Sequence, residues 1–128
     1  MTFAYSFTRL NGVGRRLKWG AYHASEIPYV FGALPDSVYG TTASFLGDFS
    51  PSADGFTEVD TKLSQAMSAA WVRFARTGDP NGPGLTSWPA FAEPQESYLE
   101  FGDQVLARTA LRKKQLDFQS AFLASRRR

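Results

Sequence analysis

Cysteine is absent from these 128 residues and histidine occurs once, as His23. The first absence excludes disulfides, thiolate metal sites and cysteine nucleophiles together. The second excludes a zinc site built from several imidazoles. Asp48, Asp54 and Glu58 are too scattered for the regular alternation of oxygen ligands in a calcium loop, so no metal and no cofactor are expected. No apolar run approaches the roughly 18 to 20 residues that cross a bilayer, and the start lacks a charged region followed by an apolar stretch. Neither a membrane span nor a secretory signal is expected in this stretch. A large charge of either sign is missing too: the formal net charge is +2. After Ala110 six basic residues face one acid, giving +5, while eight basic and eleven acidic residues before it give −3. The basic tail reads as a solvated helix end, and with no basic groove interleaved with aromatics no nucleic-acid partner is expected.

What is present is apolar and aromatic. At 43% hydrophobic and 15% aromatic the chain can build a core, and its length suits one domain. Thr2 to Arg9 alternates, with Phe3, Tyr5 and Phe7 on one face, and predicts a strand. Asn11-Gly12-Val13-Gly14 ends it with turn chemistry. From Arg15 to Phe56 glycine and proline recur too often for a long element, apart from a short helical turn over Glu26 to Phe31.

Thr57 to Thr77 predicts the clearest helix. Thr57 and Asp60 have the spacing of an N-terminal capping pair, and Val59, Leu63, Ala66, Met67, Ala70, Trp71 and Phe74 share one face. Gly78 and Asp79-Pro80-Asn81-Gly82 end it. After a loop holding Trp88-Pro89, Tyr98-Leu99-Glu100-Phe101 and Gln104 to Thr109 predict a hairpin around the Gly102-Asp103 turn. A last helix follows from Ala110, with Leu111, Phe118 and Phe122 on one face and Leu116 and Leu123 beside it. Asp79 and Asp103 are read as turn residues. The strands are too few for a complete sheet, which points to part of a larger fold.

The segment Trp19-Gly20-Ala21-Tyr22-His23-Ala24-Ser25-Glu26-Ile27-Pro28-Tyr29-Val30-Phe31-Gly32 carries the chemistry. A histidine in a glycine-containing loop just after a strand is well placed as a general base, because a neutral imidazole takes and returns protons at ordinary pH. Read alone, a single histidine is more often a hydrogen-bonded surface or core residue. The segment resembles the catalytic-histidine loop of type-B carboxylesterases, the serine esterase family of the cholinesterases and para-nitrobenzyl esterases. Tyr5-Ser6-Phe7-Thr8-Arg9 resembles the strand before that loop. Trp71-Val72-Arg73-Phe74-Ala75-Arg76-Thr77-Gly78-Asp79-Pro80-Asn81-Gly82 resembles the family's helix-ending signature. Trp88-Pro89-Ala90-Phe91 and Tyr98-Leu99-Glu100-Phe101-Gly102 follow in the family's order. The likeness covers nearly the whole chain and matches the C-terminal portion of the family.

The resemblance implies an α/β fold: residues 1–128 form one segment, the C-terminal part of an α/β-hydrolase, with an incomplete sheet, helices and long loops. It implies that His23 is the base of a Ser–His–acid triad. The sequence contains no Gly-x-Ser-x-Gly elbow, and the spacing around Ser44, between Gly40 and Gly47, does not make one. The oxyanion loop and the triad acid, which precede the histidine in the family, are missing as well. Glu26 is expected to hydrogen-bond loop amides and help fix His23 rather than serve as the triad acid. Ser25 is too close to the ring in sequence to aim a hydroxyl at it. Tyr29 and Phe31 are expected to pack the loop, and Trp19 to pack in the core. The partner implied is an N-terminal esterase portion or a complementary chain carrying the serine nucleophile, with a carboxylic ester as substrate of the complete enzyme. The chain alone is expected to be inactive, and its unpaired strand edges favour association with that partner or self-association. Two alternatives stay open: a stand-alone, non-catalytic binding module derived from an esterase C-terminus, and a truncated product.

Overall fold

The alternation of Phe3, Tyr5 and Phe7 builds a short strand, β1, over Tyr5–Phe7. A computed structural model describes residues 1–16, 18, 20–34 and 56–126. In it β1 pairs in parallel with β2 (Ser97–Phe101), in the register Tyr5 to Leu99 and Phe7 to Phe101. β2 pairs antiparallel with β3 (Val105–Thr109), Leu99 opposite Ala107, so the predicted hairpin forms and the strand order is β1-β2-β3.

The break after β1 is more ordered than its turn chemistry suggests. Asn11 opens a short helix, α1 (Gly12–Arg16), and its Oδ1 accepts the Gly14 amide at 2.8 Å. Asparagine serves both roles, because the same side-chain oxygen that makes a turn also caps a first helical turn. The short helix α2 (Ile27–Val30) lies where a helical turn is predicted.

The long helix α3 (Glu58–Thr77) agrees with its prediction to one residue: Thr57 is the N-cap, and Gly78 ends it at φ 75°, the left-handed conformation that glycine adopts without penalty. Its buried face is rotated from the apolar stripe. Leu63, Met67 and Ala70 are buried, but so are Asp60 and Ser64, whereas Val59 and Phe74 are 43% and 44% exposed. Apolar periodicity cannot see a buried carboxylate, whose place is decided by the partners that neutralise it.

Tyr29, Leu34, Leu63, Met67, Ala70, Trp88, Leu99 and Phe101 form the core between α2, α3 and the sheet. Full burial of each large side chain contributes about 1.5–3 kcal/mol. Aromatic edges knit it together: Tyr5 meets Trp71 at 5.1 Å and Trp88 meets Phe101 at 5.4 Å. The Trp88 indole N–H donates to the Ala4 carbonyl at 2.8 Å, while Asn81 bonds both the amide and the carbonyl of Trp88. That weld explains Asp79-Pro80-Asn81-Gly82 beyond its stop signal: Asp79 accepts from the Asn81 amide at 2.9 Å and orients it.

The last helix, α4, runs over Lys113–Ser125, three residues later than its first expected position. It buries no residue: Leu116, Phe118, Phe122 and Leu123 are all exposed, with Phe118 and Phe122 stacked 6.5 Å apart. Phe31, expected to pack the loop, is 77% exposed, because the turn after α2 carries it off the core. Trp19, Ser44, Asp48 and Asp54 lie outside the described residues.

Candidate functional site

β1 delivers the chain to the histidine loop, and α2 takes it away. His23 lies in the turn before α2, with its side chain exposed. The turn is closed by the Ser25 amide donating to the Tyr22 carbonyl at 3.1 Å and the Ile27 amide to the Ala24 carbonyl at 3.2 Å. Ala24, next to the histidine, has φ 66°, a left-handed conformation that a residue with a Cβ adopts only at a cost of about 1–2 kcal/mol. Together with Tyr5, Phe7, Ser25 and Glu26, His23 lines an open cleft of about 240 Å³.

Within this cleft the imidazole forms no hydrogen bond or ion pair to another described residue. Glu26 lies in the same cleft and its carboxylate likewise accepts no hydrogen bond among the described residues. Its backbone carbonyl accepts the Tyr29 and Val30 amides at 3.0 and 3.1 Å, which starts α2. The Tyr5 hydroxyl is held above its ordinary pKa, by burial first and by the Glu26 charge second.

Ser25 is 6% exposed and its Oγ has no hydrogen-bond partner among the described residues. An unsatisfied buried hydroxyl costs about 1–3 kcal/mol. Ser25→Ala is therefore expected to raise the thermal midpoint of the chain on its own, by an amount equivalent to about 1 kcal/mol; a lowered midpoint in a calorimetric scan would contradict this.

A buried polar cluster centres on Asp60, which sequence reasoning placed only as a cap. Arg9 grips its carboxylate with two parallel bonds, Nε to Oδ1 at 2.7 Å and Nη2 to Oδ2 at 2.8 Å. The Tyr29 hydroxyl donates to Oδ1 at 2.7 Å and the Thr57 amide to Oδ2 at 2.7 Å. Arg9 also reaches the Thr57 hydroxyl at 3.1 Å and bonds the exposed Asp103, so Asp103 is more than a turn residue. A signal for the cluster was there: Asp60 shares its helical face with Leu63 and Met67, and a carboxylate on an apolar stripe needs a cation.

This cluster sets a pH dependence. Burial pushes the Asp60 carboxyl up, but bonds from Arg9, Thr57 and Tyr29 outweigh it and hold the group well below the usual carboxylate range. In the unfolded chain Asp60 takes up a proton as the pH falls below about 4, while the folded chain resists. Stability from this group is thus present above that range and lost progressively on acidification. The Tyr29 hydroxyl goes the other way, raised by burial and then by its bond to Asp60. Above about pH 10 the unfolded chain releases that proton first, so stability falls again in alkali. Melting curves across pH are expected to show both limbs, with Asp60→Asn flattening the acid one and Tyr29→Phe the alkaline one.

With the geometry in place, comparison with known proteins decides the family. The carboxylesterase family model matches residues 1–119. The chain belongs to the carboxylesterase family. It is similar to carboxylesterase 5A of Canis lupus familiaris, 36% identical over 100 residues, covering 78% of this chain and 16% of that protein. It is similar to the fumonisin B1 esterase of Sphingopyxis macrogoltabida, 41% identical over 101 residues, covering 79% of this chain and 17% of that protein. In structure it superposes on an esterase of Clostridium hathewayi with TM-score 0.62 at 25% identity, covering 84% of this chain and 18% of that one. These esterases have the α/β-hydrolase fold, and the three-stranded mixed sheet with its helices is part of that fold. The chain spans about one sixth of the length of these carboxylesterase relatives.

Proposed function

We propose that residues 1–128 are the C-terminal portion of a serine carboxylic ester hydrolase and supply its general base, His23. The observation that carries this reading is the placement of His23: an exposed residue lining an open cleft together with Tyr5 and Phe7 of β1, a strand whose outer edge is open among the described residues. Ala4, Ser6 and Thr8 turn their backbone groups toward β2, as the bonds from the Leu99 amide to Ala4 and from the Thr8 amide to Phe101 require. The N–H and C=O groups of Tyr5 and Phe7 therefore point to the open side, where among the described residues no strand meets them. An aromatic edge strand left in this state is a template for another chain. The apolar face of α4, uncovered among the described residues, supports the same reading.

In the complete enzyme a serine hydroxyl from the complementary portion attacks the ester carbonyl. His23 accepts the hydroxyl proton, then passes it to the departing alkoxide, which leaves as the alcohol. Water hydrolyses the acyl-enzyme by the same route in reverse, its proton passing through His23 to the serine oxygen. A carboxylate of that other portion holds the second ring nitrogen. Glu26, expected to hold the loop amides with its carboxylate, contributes instead, among the described residues, through its backbone carbonyl, which accepts the Tyr29 and Val30 amides. Without the nucleophile, the oxyanion donors and the acid, the 128-residue chain turns over no ester; one such donor alone is worth about 3 kcal/mol.

The test is reconstitution. The chain is mixed with a separately produced carboxylesterase portion that carries the Gly-x-Ser-x-Gly elbow, and para-nitrophenyl acetate hydrolysis is followed. Turnover by the mixture only, lost with His23→Ala, supports the reading. Association that survives His23→Ala, with no turnover in any pairing, identifies a binding module instead.

A further inference from the structure

We infer that Asp60 is a positioning residue for His23: its buried carboxylate ties Arg9, which leads into the histidine loop, to Tyr29, which leads out of it. This inference rests on the reading of His23 given above. Arg9 stands fourteen residues before the histidine and Tyr29 six after it, and both reach the same carboxylate of α3 at 2.7–2.8 Å. Asp60 is itself 0% exposed and Tyr29 1%, so neither partner is free to drift into solvent. One turn along α3, the Ser64 hydroxyl donates to the Tyr29 carbonyl at 2.9 Å, fixing the backbone of α2 as well as its side chain. On the other side Arg15 donates to the Leu10 carbonyl at 2.9 Å and reaches Asp103, the residue that also holds Arg9.

The histidine needs such a frame because its ring has no partner of its own among the described residues. The left-handed Ala24 beside it points the same way: a strained residue persists only where its surroundings over-determine it. The chain on its two sides is held through Arg9, just after β1, and Tyr29 of α2, and the Asp60 carboxylate is the group they share. An ordinary buried ion pair would link two elements. This one closes a loop at both ends.

His23 is the sole histidine, so its ring gives one carbon–proton cross-peak in the full-length chain. Three variants separate positioning from general stability: Asp60→Asn, Tyr29→Phe, and Leu63→Ala, a core truncation on the same helix. Tyr29→Phe keeps the Arg9–Asp60 pair and is chosen to stay folded should Asp60→Asn not. Both clamp variants are expected to shift or broaden the His23 peak and to speed amide exchange at Ser25 and Ile27 about tenfold, the effect of one lost hydrogen bond. Leu63→Ala, compared at equal folded fraction, is expected to leave the peak in place. The inference is overturned if Leu63→Ala moves the peak as far, if a folded Tyr29→Phe leaves it unmoved, or if the unsubstituted chain shows a random-coil ring. A reconstituted enzyme without turnover sinks the esterase reading but leaves this result standing, so the two failures are distinguishable.

Discussion

Asp60→Ala is expected to unfold the isolated chain at ordinary temperature. The substitution leaves the Arg9 guanidinium, whose side chain is 5% exposed, as an uncompensated buried charge, and strips the Tyr29 hydroxyl and the Thr57 amide of their acceptor. Breaking a buried pair in this way costs about 3–5 kcal/mol, against a total stability of about 5–15 kcal/mol for a complete domain. Among the described residues one sheet edge is open and α4 buries no side chain, so the chain is expected toward the lower end of that range. Removing the whole polar set together is expected to be far milder, because the desolvation of both ions disappears with them. Arg9→Met, Asp60→Leu and Tyr29→Phe combined should therefore be more stable than Asp60→Ala by circular dichroism melting. A triple variant less stable than the single one would show that the pair contributes net stability rather than merely being costly to break.

His23→Ala is expected to have the largest effect on chemistry. If His23 is the base proposed above, its removal from the reconstituted esterase is expected to cost on the order of 10^6-fold in turnover, the usual loss for a triad base. That is about 8 kcal/mol of barrier, well beyond any effect of a surface substitution. The exposed position of His23 and its lack of partners among the described residues mean that the same change should leave the melting of the isolated chain within about 0.5 kcal/mol, the range of surface substitutions. Loss of turnover with unchanged stability and unchanged association with the complementary portion separates a chemical role from a structural one. Retained turnover at more than a hundredth of the original rate would remove His23 from the mechanism.

Both predictions concern one stretch of chain: His23 is exposed, while Arg9 before it and Tyr29 after it share the buried Asp60 carboxylate. Phe118 and Phe122 on α4 stay exposed at 74% and 49%.

Much of this molecule could be read from the chain alone because it depends on neighbours in sequence. The cap at Thr57, the stop at Gly78 and the hairpin after Gly102 are local chemistry and appear where the residues place them, while the strand expected over Thr2 to Arg9 forms only over Tyr5–Phe7. The ordered blocks around His23 were equally legible, and the family follows from them. Other features were not. Asp60 and Ser64 belong to the buried face of α3 only because Arg9 and Tyr29, fifty-one and thirty-one residues away, come to meet them. Phe31 and the apolar side of α4 have the composition of core but stay exposed, since burial needs a surface to pack against and none of the described residues offers one. Periodicity reports which side chains would gain from leaving water; only the tertiary structure decides which of them find a partner, and which charge is worth burying with them.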